Sequence, residues 1–166
     1  MSDSYVTNLL GAFGLTITDE VEAAGAGEPL YESAHEAVVL IANNGGRSLD
    51  WLRRRLDLTH SGAVRLADRL QHDGLLSRSR SGREVALDLT PAGRAMVARL
   101  TEARIHALAA LLAPLDADDR AQLVRIMDQM LCAKHRRRAD ADRGCRRCDW
   151  ASCGDRCPIS RSVSEG

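Results

Sequence analysis

Four cysteines near the end of the chain have the residue type and spacing for metal or redox chemistry. Cys145, Cys148, Cys153 and Cys157 form C-x2-C-x4-C-x3-C, followed by Pro158. A Cys-Arg-Arg-Cys knuckle puts two thiolates on one ion. The run from Asp149 to Ser152 lets the chain turn back, so that Cys153 and Cys157 complete a tetrahedral set. Apart from Trp150 and Ile159 the tail has little apolar material, and a metal would supply its ordering energy. Zinc is the first expectation and an iron–sulfur cluster the second, because of the closing Cys-Pro. Reversible disulfides, which would make the tail a redox switch, and a disordered tail with free thiols stay open. Arg146, Arg147 and Arg156 are expected to offset the thiolate charge. Cys132, beside Leu131 on a helix, reads as a packed apolar residue.

A second group of residues suits a polyanion. The net charge is zero, yet the charges are segregated. Residues 1–46 carry seven acidic side chains and no Lys or Arg, whereas residues 47–99 carry eleven Arg against six acids. The basic middle can present one favourable face to nucleic acid. Within it, Ala63, Leu66, Ala67 and Leu70 recur at helical spacing and face a core. The opposite face carries Ser61, Arg65, Asp68, Arg69 and His72. Thr59, His60 and Ser61 stand at the N-terminal end, where a recognition helix meets base edges, and Arg65 lies one turn on. Arg78, Arg80 and Arg83 follow on a hairpin, suited to phosphate or minor-groove contact. Asp68 is expected to pair with Arg65 or Arg69, or to sit away from the DNA, and Gly62 to let the backbone approach DNA.

The elements that must position these groups read as follows. Residues 4–24 form a helix with Leu9, Leu10, Phe13 and Ile17 at helical spacing. Gly25 to Pro29 breaks the chain. A second helix over 30–43 puts Leu30, Ala34, Ala37, Val38 and Ile41 on one stripe. Ser48 caps a short helix over 49–55, and Thr59 caps a longer one over 60–73 that Gly74 stops. A short helix, a tight turn and a longer helix make a helix-turn-helix. Residues 75–80 and 84–89 read as two strands, with Ser81-Gly82 as their turn. Thr90-Pro91 opens a helix to about 112, and Asp116 caps a last one over 117–137.

These segments resemble the MarR family of regulators. The run from Leu58 to Leu70 with Asp73-Gly74-Leu75-Leu76 looks like that family's recognition helix and following strand. Gly82-Arg83 with Leu87-Asp88-Leu89-Thr90-Pro91-Ala92-Gly93-Arg94 resembles its wing and next helix, although Ser81 stands where the family usually carries Asp. His35 to Leu40 fits its second helix. The resemblance covers about residues 5–135. It implies a homodimer joined by the first and last helices, a palindromic operator on double-stranded DNA, and control by a small-molecule, metal or redox effector.

The expected fold is therefore mainly α with a small β-hairpin wing: a winged helix-turn-helix, dimerised through its N- and C-terminal helices. Residues 1–138 form the DNA-binding and dimerisation domain, with the winged helix over about 30–93. Residues 139–166 form a Cys-rich tail. Aromatic content is 3% and apolar content 45%, which favours a helical core of Leu, Val and Ala. No apolar run approaches the roughly 20 residues of a membrane span. Met1 leads into Ser2-Asp3-Ser4 with no leader pattern, so a cytoplasmic protein is expected. No phosphate-cradling Gly loop or hydrolytic His spacing is present, and no enzyme activity is expected. The expected function is a DNA-binding transcriptional regulator, modulated through the Cys cluster. The alternative is a metal-binding protein-interaction module that uses the winged helix as a docking surface.

Overall fold

The computed structural model describes residues 2–27, 32–81, 84–134 and 138–163. Helix α1 (Asp3–Gly25) starts at Ser2, whose hydroxyl accepts from the Tyr5 N–H. Next come α2 (Glu32–Asn43), a two-residue strand β1 (Arg47–Ser48), α3 (Leu49–Leu56) and α4 (His60–His72). Strands β2 (Leu76–Ser81) and β3 (Glu84–Leu89) form the wing, and α5 (Pro91–Leu112) and α6 (Ala117–Lys134) follow. Leu30, expected on the second helix, lies outside the described residues, as do Gly82, Arg83 and His135.

The caps form as their residue types require. The Ser48 hydroxyl accepts from the Trp51 N–H at 3.3 Å, Thr59 from Gly62 at 3.1 Å and Thr90 from Gly93 at 3.0 Å. Each satisfies one of the unpaired donors of a helix start. Asp57 ends α3 in the left-handed region at φ 55, and Gly74 ends α4 at φ 72, where glycine carries no steric cost.

The sheet is antiparallel with order β1-β3-β2. Leu76 stands opposite Leu89, and Arg47 opposite Leu87. Pairing of β1 on the far side of β3 was not foreseen from the sequence, because two residues show no alternation. It is held by the Gly46 N–H, which donates to Leu87 O at 3.1 Å and to Asp88 Oδ1 at 2.9 Å.

One core joins α2, α3, α4, the wing and the start of α5. Ala37, Val38, Leu40, Leu52, Leu66, Leu70, Leu76, Leu87 and Met96 are among its buried members. The run Leu-Thr-Pro-Ala-Gly-Arg welds α5 to this core. The Thr90 hydroxyl donates to Gly74 O at 2.6 Å, and Arg94 donates to Leu89 O at 2.6 Å. A Cβ on Gly93 would lie 2.1 Å from Leu75 O, so only glycine fits there.

Beyond α6 the chain is ordered into short elements: α7 (Arg138–Gly144), α8 (Trp150–Cys153), a 3-10 turn over Gly154–Arg156 and α9 (Pro158–Arg161). The last long helix is described over Ala117–Lys134, and the rest of its expected span, 135–137, lies outside the described residues. The tail has a small apolar cluster of Ala141, Cys145 and Ile159, with Leu131 of α6, Trp150 and Val163 against it. No helix among the described residues is long and apolar enough to cross a membrane.

Candidate nucleic-acid interface and cysteine-lined cavity

Helix α4 buries Ala63, Leu66, Ala67 and Leu70, so its other face is turned outward. That face presents Ser61, Arg65, Asp68 and Arg69, all exposed, with Thr59 and His60 exposed at its start. Thr59 spends its hydroxyl on the cap and lies 3.3 Å from the Ser61 hydroxyl. Gly62 has a nearer reason than DNA approach. A Cβ there would lie 3.1 Å from Thr59 Oγ1 and crowd the cap.

Asp68 pairs with neither Arg65 nor Arg69. Its partner is Arg78 of β2, at 2.7 Å, because β2 runs back alongside α4 and brings the wing's first arginine to that helix. Arg69 Nε stands 3.5 Å from Asp73, and His72 lies 3.2 Å from the same carboxylate. The His72 hydrogen bond, followed by the Arg69 charge, holds the Asp73 carboxyl below its usual range. Among the described residues, Arg65 and Arg80 are exposed cations with no carboxylate within ion-pair distance. The structure thus brings Thr59, His60, Ser61, Arg65 and Arg69 together on α4, with Arg78 and Arg80 on the adjoining strand. Arg83 lies outside the described residues.

The three consecutive arginines of α3 are engaged within the protein. Arg53 and Arg54 both pair with Asp50. Arg55 stacks 4.6 Å above Trp51 and pairs with Asp142 of α7 at 2.8 Å. This contact attaches the Cys-rich segment to the helix-turn-helix.

Cys145, Cys148, Cys153 and Cys157 line one cavity of about 230 Å³, with Ala141, Asp142, Trp150 and Ile159 among its walls. Cys145 is buried, Cys148 and Cys157 are half-buried and Cys153 is exposed. The hydrogen bond from Cys145, then the charge and hydrogen bond of Arg104, pull the Cys148 thiol down to about 6 against the effect of burial. The same Cys148 contact, with burial, pushes Cys145 up. Burial, then the charges of Cys148 and Cys157, raises Cys153. Among the described residues no three His, Cys, Asp or Glu side chains stand in an arrangement ready to hold an ion.

The Arg146 charge lowers Cys148 as expected, but Arg146 and Arg147 also have a carboxylate partner. Their Nε atoms reach Glu36 of α2 at 2.7 and 3.2 Å. The cation beside Cys148 that the sequence did not suggest is Arg104, on α5. Cys132 donates to Pro158 O at 3.3 Å, as a packed thiol between α6 and α9.

A separate cavity of about 280 Å³ lies where α1, α2 and α5 meet. Val21, His35, Val39, Leu100, Arg104 and Arg147 line it.

No family model matches the chain, and no curated protein matches it. Solved structures do. A MarR family protein from Bacillus stearothermophilus superposes with TM-score 0.71 at 20% identity, over 78% of this chain and 95% of its own. RV1404 from Mycobacterium tuberculosis gives 0.67 at 26%, over 78% and 92%. The MarR family protein Rv2887 of the same organism, in complex with DNA, gives 0.63 at 23%, over 78% and 98%. Rv2887 is also solved in complex with salicylic acid. The fold is the MarR-type winged helix, as the sequence resemblance implied.

Proposed function

We propose that the protein is a DNA-binding transcriptional regulator that reads a palindromic operator as a homodimer. The observation that carries this reading is the outward face of α4, where His60, Ser61 and Arg65 stand exposed beside Arg80 of the wing. A helix presenting short polar groups and Arg at its N-terminal half suits the major groove. The wing arginine suits the flanking backbone or minor groove. The similarity to Rv2887, solved in complex with DNA, supports the same use.

Dimerisation rests on uncovered apolar surface. No residue of α1 or α6 is fully buried in the single chain. Leu9, Leu10, Phe13, Val124, Ile126 and Met130 are exposed large apolar side chains on these two helices. Such surface marks an association site, and a second copy supplies equal apolar area. A two-fold dimer presents two recognition helices, and hence a palindromic site.

The cavity among α1, α2 and α5 is where we place a small-molecule effector. Val21, Val39 and Leu100 give it an apolar wall, and Arg104 and Arg147 outnumber the one acid of its lining, Glu22. That lining suits a small organic acid, and the salicylic acid complex of Rv2887 is consistent with it.

The test is operator selection from a random duplex library with the full chain, followed by footprinting. The expected result is two protected half-sites with centres about 10 base pairs apart, or a multiple of that spacing. Enrichment of no sequence would favour the rival, a metal-binding docking module.

A further inference from the structure

The segment over 138–163 is built from pieces too short to hold themselves. Its helices have seven, four and four residues, well under the length at which a helix is stable alone. Among the described residues its buried apolar members are Ala141, Cys145 and Ile159. Yet the chain folds tightly around the four thiols. The Cys148 N–H donates to Cys145 O at 3.0 Å and the Trp150 indole to the same carbonyl at 3.1 Å, so the C-x2-C turn closes over Cys145. Cys157 opens α9, with Pro158 as its first residue and the Arg161 N–H on its carbonyl.

We propose that Cys145, Cys148, Cys153 and Cys157 bind one zinc ion, and that this ion fastens the 138–163 segment onto α2 and α3 of the winged helix. Four thiols on one cavity, in two turns of the chain, are the donor set of a closed tetrahedral zinc site. Binding releases the thiol protons and joins four sulfurs to one ion, with no change of oxidation state. Thiols that line one small cavity suit a single shared ion. In an iron–sulfur cubane each sulfur would sit on its own iron, farther from the others. Closure draws in Cys153, the exposed member. Four thiolates on a divalent ion leave two negative charges in excess, and Arg104 beside Cys148 lies ready to meet them.

The fastening points are specific. Asp142 precedes the knuckle by three residues and is paired with Arg55 of α3, the two side chains being 6% and 15% exposed. Asn43, at the end of α2, donates to Cys148 O at 3.1 Å. Arg143 reaches Asp57, in the turn of the helix-turn-helix, at 3.0 Å. Zinc therefore orders a strap that touches the end of α2 and the C-terminal end of α3, the helix against which α4 packs. Any effect of zinc on operator affinity rests on the reading of the winged helix as DNA-binding; zinc binding itself does not.

The experiment uses the full chain, purified under reductant without oxygen, with zinc, iron and acid-labile sulfide counted per chain. Chelated protein is then titrated with cobalt(II). The expected result is one zinc per chain and a saturable 1:1 cobalt–thiolate absorption that zinc abolishes. Cys148→Ser and Cys153→Ser lose it at least tenfold in affinity, while Cys132→Ser keeps it. Iron with sulfide, or no stoichiometric metal in a chain that is helical by circular dichroism, overturns the zinc site. Limited proteolysis reads the strap: zinc should protect the segment at least several-fold, and equal cleavage with and without zinc overturns the fastening. A chain that takes up zinc but enriches no operator defeats the DNA reading and leaves this one standing.

Discussion

Arg78 and Arg65 differ only in what stands beside them, and that difference sets their expected weight. Arg78 is tied to Asp68 at 2.7 Å, so its charge is spent on joining the wing to α4. Arg65 faces solvent on the same surface. Arg65→Ala is expected to cost about 1–3 kcal/mol of operator affinity if the side chain reads a base edge, and to relax sequence choice at one position per half-site. Arg78→Ala should cost less affinity with no change in preferred sequence. A quantitative binding assay on operator variants distinguishes them, and equal losses would contradict the assignment. The exposed face of α4 was legible because its apolar residues recur at helical spacing. The Asp68–Arg78 pair was not, because it depends on how the wing folds back across a ten-residue separation. Asp142 and Arg55 were still less accessible, since 87 positions part them. Asp142→Ala leaves a largely buried guanidinium without its acid. Breaking a buried pair costs about 3 kcal/mol or more, but release of the strap lets Arg55 rehydrate and caps the loss. The expected readout is therefore faster proteolysis of 138–163 with little change in the Tm of the winged helix.

At the scale of elements, caps and turns carried most of the legible information. Ser48, Thr59 and Thr90 each accept the hydrogen bond expected of them, and Gly74 takes the positive φ of a helix stop. What escaped were pieces without periodicity: the two-residue β1 and the short helices of the tail, where no stripe can form. The run around Gly93 was legible as a family feature but not as a joint. A Cβ there would meet Leu75 O at 2.1 Å, and the helix is held on both sides by the Thr90 and Arg94 hydrogen bonds. Gly93→Ala is therefore expected to destabilise the fold by about 1–3 kcal/mol, the usual cost of overpacking, or more because the obstacle is backbone. Thermal or urea unfolding measures it, and an unchanged midpoint would mean that α5 can shift away from the wing freely.

For the molecule as a whole, the charge segregation and the uncovered helices point the same way. The acidic first 46 residues include α1, whose apolar side chains Leu9, Leu10 and Phe13 are exposed in the single chain. Those positions were legible as a helical stripe, and the resemblance implied what covers them. The packing of the tail on α2, α3 and α6 was not legible, because it is made by single ion pairs and one carbonyl rather than by a stripe. Leu10→Asp with Phe13→Asp places two charges on the apolar face of α1. Light scattering should then report half the mass of the parent protein, with the helix content retained. A parent that already runs as a monomer would remove the two-fold argument for a palindromic operator.

The central claim is that the outward face of α4 and the wing bind DNA through phosphates as well as bases. It is tested most directly by the affinity for the selected operator as salt is raised from about 50 to about 200 mM. Neutralising roughly 6–10 phosphates, as two basic wings and two helices would, predicts a linear fall of log K with log salt and a loss of about 10³–10⁵ over that range. A flat dependence would contradict the account and favour a surface for docking protein.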